Sequence, residues 1–101
     1  MALKSMQVKG KLRWSLLPLE LLTGVVRVLM RGADKYSDFD WMDDVKHHPQ
    51  VYHDALMRHI ERHFAGELRD GDDNELHVDH AIANLIILKW YIESKLKEAQ
   101  C

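Results

Sequence analysis

His77, His80 and Asn84 are separated by three and four residues, a spacing that puts all three on one face of a helix. Ala81 and Leu88 carry that face onward, so it turns toward the interior. A buried imidazole or amide needs a partner, because an unpaired one costs about 1–3 kcal/mol. Two imidazoles at this spacing can also hold a metal ion or a phosphate oxygen. The pattern alone leaves both readings open: a hydrogen-bonded helix entrance with His77 at the positive end of the dipole, or a working site.

Three further groups could join such chemistry. Asp54, Arg58, His59 and Glu61 share a second helical stretch. Asp54 and Arg58 stand four apart, which on an exposed helix describes an ordinary ion pair. In a site, Asp54 or Glu61 would bind metal and the Arg58 fork would clamp phosphate. Glu67 and Asp70, followed by Asp72 and Asp73, could bind Mg²⁺ through oxygen, or simply form a solvated acidic loop. Lys11, Arg13 and Lys35 flank Trp14 and Tyr36, a combination able to hold a triphosphate beside a base-stacking ring. His47 and His48 precede Pro49 and read as surface residues, and His53 and His63 have no evident partner.

The elements that must position these groups are helical. Pro18 marks a helix start. Leu19, Leu22, Val26 and Leu29 form an apolar stripe, and Gly32 is the expected stop. Residues 33–49, with Tyr36, Phe39 and Trp41 among aspartates, read as a structured loop with short helical turns. A second helix is expected over residues 50–65, with Tyr52, Leu56, Ile60 and Phe64 inward and Met57 at the edge. Gly66 and the run from Asp70 to Asn74 make the next loop. The last helix, about residues 75–98, is apolar nearly all round between Ala81 and Ile92, which predicts burial on most sides, in the domain centre or against a partner. No strand-like alternation competes. The fold class is therefore all-α: a small bundle of about three long helices plus short helical turns.

Composition narrows the function. The 101 residues suffice for one domain, assigned to residues 11–101 behind an N-terminal arm over residues 1–10. A net charge of −2 argues against an extended nucleic-acid surface. The longest apolar run, broken by Asn84 and Lys89, is too short to span a bilayer, so no membrane role is expected. The single cysteine, Cys101, permits no internal disulfide and fits a cytoplasmic protein. Walker, dinucleotide-binding, nucleophile-elbow, EF-hand and paired-cysteine motifs are all missing.

Taken in order, five segments resemble one family. They are Lys11 to Glu20; Gly32-Ala33-Asp34-Lys35-Tyr36 with Trp41; Tyr52 to His59 around Asp54-Ala55 and Arg58-His59; Gly66-Glu67 with Asp70; and His77 to Ala81 with Asn84. The family is the phage-type dATP/dGTP diphosphohydrolases, similar to the all-α MazG-like nucleotide pyrophosphatases. One departure is Asp40, where the family tends to have Asn before the Trp. Another is the lack of mid-helix E-x-x-E and E-x-x-D motifs, whose places are taken by Asp54, Arg58 and His59 and by His77 and His80.

The resemblance implies hydrolysis of a purine deoxynucleoside triphosphate to the monophosphate and pyrophosphate. It implies Asp54, Glu67 and Asp70 as metal ligands, with Mg²⁺ the default and Mn²⁺ the alternative. It makes His59, His77, His80 and Asn84 the catalytic group, and Lys11, Arg13, Lys35, Tyr36 and Arg58 the substrate contacts. It also implies a homo-oligomer, and the host cytoplasm if the chain is phage-encoded. Two other functions compete: a non-catalytic phage protein that binds a protein partner through its last helix, and a metal-dependent phosphohydrolase of the HD kind.

Overall fold

A computed structural model describes residues 10–100 of the chain. The arm expected over residues 1–10 lies, Gly10 apart, outside the described residues, as does Cys101. Two short 3₁₀ turns, Trp14–Leu16 and Leu19–Leu22, lead into helix α1 (Thr23–Lys35). Helices α2 (Asp40–His47), α3 (Pro49–Phe64) and α4 (His77–Ala99) follow. Among the described residues there is no strand, only one bridge between Arg69 and Leu76. The all-α class thus stands as periodicity predicts.

Two boundaries differ from expectation, and both bear on the site. Pro18 starts a 3₁₀ turn, and regular α-helix begins only at Thr23, whose hydroxyl donates to the Glu20 carbonyl at 2.9 Å. At the other end, Gly32 does not stop α1. One helical glycine costs about 1 kcal/mol relative to alanine. Ala33, Asp34 and Lys35 complete another turn, closed by the Tyr36 N–H on the Gly32 carbonyl at 3.0 Å. The expected loop that follows contains the eight-residue helix α2. Asp40 and Asp43 favour its N-terminal end, Lys46 and His47 its C-terminal end.

Helix α4 packs chiefly on α3 and also on α1 and α2. Val25, Val45, Ala81, Ala83 and Ile87 are the buried apolar residues. The missing side chain at Gly24 of α1 lets α4 come close: a Cβ there would collide with the carboxylate of Asp79. Trp41 meets Trp90 edge-on at 5.5 Å, tying α2 to α4.

Two burial expectations fail. Phe64 is 83% exposed, so only the Tyr52–Leu56–Ile60 part of the α3 stripe turns inward, with Met57 half exposed at its edge. Helix α4 is not buried all round: Leu85, Ile86, Ile92 and Leu96 are exposed while Ala81, Ala83 and Ile87 are covered. A bundle this small lacks the layers to cover both sides of a central helix. Among the described residues, no helix is long and apolar enough to cross a membrane.

Candidate active site

The loop between α3 and α4 folds back on itself and brings acidic groups over the start of α4. Gly66 turns the chain with φ +96°, and Asn74 adopts the left-handed region at φ 62°. The Asp70 N–H donates to the Glu75 carbonyl at 2.8 Å, and the His77 N–H to the Leu68 carbonyl at 2.9 Å. Helix α1 clamps the loop from outside. The Arg27 guanidinium donates to both Glu75 oxygens at 2.8–3.1 Å, a fork that holds the buried Glu75 carboxyl below its usual range. Arg31 reaches the Asp73 carbonyl at 3.4 Å.

Two loop carboxylates, Asp70 and Asp73, each have one oxygen fixed and the other near imidazoles. Asp70 Oδ1 accepts the Asp72 N–H at 2.8 Å, which also holds its carboxyl below the usual range. Its Oδ2 lies 3.9 Å from His59 Nδ1 and 4.0 Å from His80 Nε2. Asp73 Oδ1 accepts the Glu75 N–H at 2.9 Å, and its Oδ2 stands 2.8 Å from His80 Nε2.

Three histidines meet beneath these carboxylates. His59 stacks on His80 with ring centres 4.4 Å apart and planes 7° from parallel. His59 Nδ1 and His77 Nδ1 are 2.8 Å apart, so one ring donates and the other accepts. His77 is fully buried, and its Nε2 has no hydrogen-bond partner among the described residues. Burial, reinforced by His80 and His77, depresses the His59 pKa to about 4, so this ring is neutral at physiological pH.

His59 and His80 of the cluster line a cavity of about 650 Å³, within the usual range for small-molecule sites. Lys35 and Tyr36 come from the end of α1, Asp40, Trp41 and Asp44 from α2, Tyr52 and His59 from α3, and His80 and Asn84 from α4. Tyr52 donates to Asp44 Oδ2 at 2.7 Å, a bond that with burial raises the phenol's pKa. Asn84 donates to the His80 carbonyl at 2.9 Å, and no contact with an imidazole accompanies that bond.

Of the residues expected in the site, the fold brings together Lys35, Tyr36, His59, Asp70, His77, His80 and Asn84. Glu67 sits at the rim, half exposed, with Oε1 3.7 Å from His77 Nε2. Four others lie elsewhere. Asp54 precedes His59 by five residues, about 140° around a helix, and its exposed carboxylate accepts from Gln50 at 2.8 Å. The adjacent His53–Asp54 pair, which an HD-type centre would need inside, is exposed and 3.8 Å apart. Arg58 is exposed and does not line the cavity, although its charge helps to keep His59 neutral. Lys11 is exposed, and Arg13 lines a separate cleft with Leu12, Trp14, Leu16 and Leu17.

Sequence reasoning misses three contributors and leaves a fourth open. Asp73 reads either as an oxygen ligand for Mg²⁺ or as part of a solvated acidic loop, and Arg27 carries no signal. Their pairing depends on tertiary contacts that no spacing announces. Asp40 and Asp44 became cavity residues only because α2 forms, and their four-residue spacing before Val45 was the available signal.

The donor set suits a divalent cation: His59, Asp70 and His77 form one group, and Asp70, Asp73 and His80 another, each with ligand atoms within 4.8 Å of one another. A basic residue, aromatic rings and this centre around one cleft suit a nucleoside phosphate. A family model described as dATP/dGTP diphosphohydrolase, N-terminal, matches residues 2–100. No curated protein and no solved structure matches the chain. With that match spanning nearly its whole length, the chain belongs to the dATP/dGTP diphosphohydrolase N-terminal family.

Proposed function

We propose that the chain hydrolyses purine deoxynucleoside triphosphates, dATP or dGTP, between the α and β phosphates, releasing the monophosphate and pyrophosphate with a divalent metal. The observation that carries this is the cleft lined by Lys35, by aromatic rings and by His59 and His80, two members of the histidine–carboxylate cluster. The metal, Mg²⁺ by default with Mn²⁺ the alternative, neutralises phosphate charge and makes bound water more acidic.

The chain's own groups supply the rest. Lys35 Nζ neutralises phosphate oxygens, and charge on the leaving pyrophosphate grows as the bond breaks. His59, kept neutral by burial, offers a ring-nitrogen lone pair for the cation. Asp70 and Asp73, each anchored through one oxygen, retain the other for cation or water. Tyr36, Trp41 and Tyr52 provide faces for the base.

Exposed apolar residues at the N-terminal turns favour a second reading, a partner-binding protein. Such a protein would have no use for an inward cluster of three imidazoles. Pyrophosphate release should be measured on the four dNTPs and four NTPs with Mg²⁺ and with Mn²⁺. Turnover confined to purine deoxynucleotides, and lost in Lys35→Ala, is expected. A folded protein that turns over none of them refutes the proposal.

A further inference from the structure

We propose that His59, Asp70 and His77 hold a transition-metal ion in the absence of nucleotide, and that Asp70 is shared with a harder neighbouring position completed by Asp73 and His80. Ligands about 2.1 Å from an ion lie about 3 Å apart at right angles and about 4.2 Å apart when opposite. The separations here are 2.8 Å between His59 and His77 Nδ1, 3.9 Å from His59 Nδ1 to Asp70 Oδ2, and 2.8 Å from His80 Nε2 to Asp73 Oδ2. They span that interval.

The surroundings are those of a built site. Both aspartates keep one oxygen on a backbone N–H and turn the other to the imidazoles. Glu67 stands 3.7 Å from the outward nitrogen of His77, where a carboxylate commonly orients a ligating imidazole. The Arg27 fork on Glu75 fixes the loop that carries Asp73. One orphaned atom points the same way. His80 Nε2, although 2.8 Å from Asp73 Oδ2, is not aligned with it as a hydrogen bond. His59 Nδ1 and His77 Nδ1 share one proton at 2.8 Å, and its removal to a ring's other nitrogen would leave both lone pairs for a cation.

Donor chemistry separates the two positions. Two imidazoles and one carboxylate favour Mn²⁺, Co²⁺, Ni²⁺ or Zn²⁺ over Mg²⁺, which prefers oxygen and retains its waters. Two carboxylates and one imidazole suit the ion that accompanies a triphosphate. The first ion is thus resident and the second arrives with substrate.

The test is titration of the whole chain with Co²⁺, without nucleotide and in large excess of Mg²⁺, followed by calorimetry and by visible absorption. One Co²⁺ per chain that Mg²⁺ does not displace is expected. His59→Gln and Asp70→Asn should weaken it at least about tenfold, the smaller loss seen when even an outer partner is removed. Asp54→Asn, on the far side of α3, should not. No Co²⁺ uptake, equal displacement by Mg²⁺, or full retention in both site variants overturns the proposal. If either variant fails to fold, pulsed electron resonance of Mn²⁺ on the unaltered chain decides: coupling to imidazole nitrogen supports the site and its absence refutes it. Because nothing here requires turnover, an inactive protein that binds Co²⁺ refutes only the proposed reaction. An active one that does not bind it refutes only this inference.

Discussion

His59 concentrates the chemistry of the site in one ring: it stacks on His80, meets His77 nitrogen to nitrogen, and lies 3.9 Å from Asp70. Its pKa falls from 6.5 to about 4 on folding, chiefly through burial. The unfolded chain therefore binds more protons than the folded one between those values. Stability rises with pH across that window and declines as pH drops from about 6.5 toward 4. One such group contributes at most about 1.4 kcal/mol per pH unit. Asp70 and Glu75, whose pKa values are depressed, push in the same direction only in the more acidic carboxylate range, so pH 6.5 to 5 isolates the imidazole. Denaturant titrations of the chelated protein should show this slope, and it should flatten in His59→Gln. An unchanged slope in that variant would mean that His59 is not buried as neutral imidazole. At this scale the sequence was legible where helical spacing acts alone. His77, His80 and Asn84 follow directly from i, i+3 and i+7. Asp54 misled because its neighbour Arg58-His59 suggested a shared face, whereas five residues carry it around the helix.

Helices α1 and α4 set the frame through one close crossing. Gly24 faces the Asp79 carboxylate with no space for a methyl group. Gly24→Ala should therefore destabilise the fold by about 1–3 kcal/mol, the usual cost of overpacking, although alanine is the better helix former. Removing the obstruction with Asp79→Ala in the same chain should recover part of that loss. Urea midpoints of the three variants check both statements. Purely additive losses would show that the two residues do not touch. The existence of α1, α3 and α4 could be read from apolar period and proline. Their ends and the identity of α2 could not, because Gly32 is overridden by a further turn and Asp40 to His47 has few apolar residues to reveal a period. That extra turn of α1 brings Lys35 and Tyr36 to the cavity mouth.

The molecule as a whole is extended, with a radius of gyration of 17.3 Å against about 13 Å for a compact chain of this length. Leu12, Trp14, Leu16, Leu19 and Leu21 on the N-terminal segment, and Leu85, Ile92 and Leu96 on α4, are exposed. We propose that exposed apolar side chains in this number serve association between copies of the chain. Light scattering after size exclusion should thus give a mass at least twice 11.9 kDa. A strictly monomeric protein at high concentration would contradict this. Which side of α4 is left uncovered depends on how few helices surround it, and composition does not reveal that.

The central claim is the reaction, and its products test it most directly. Incubation of the protein with dGTP or dATP and divalent metal, followed by ion-exchange separation, should yield monophosphate and pyrophosphate in equal amounts. His80→Ala, still folded by circular dichroism, should yield neither. Diphosphate with inorganic phosphate, or an untouched triphosphate, would contradict the account.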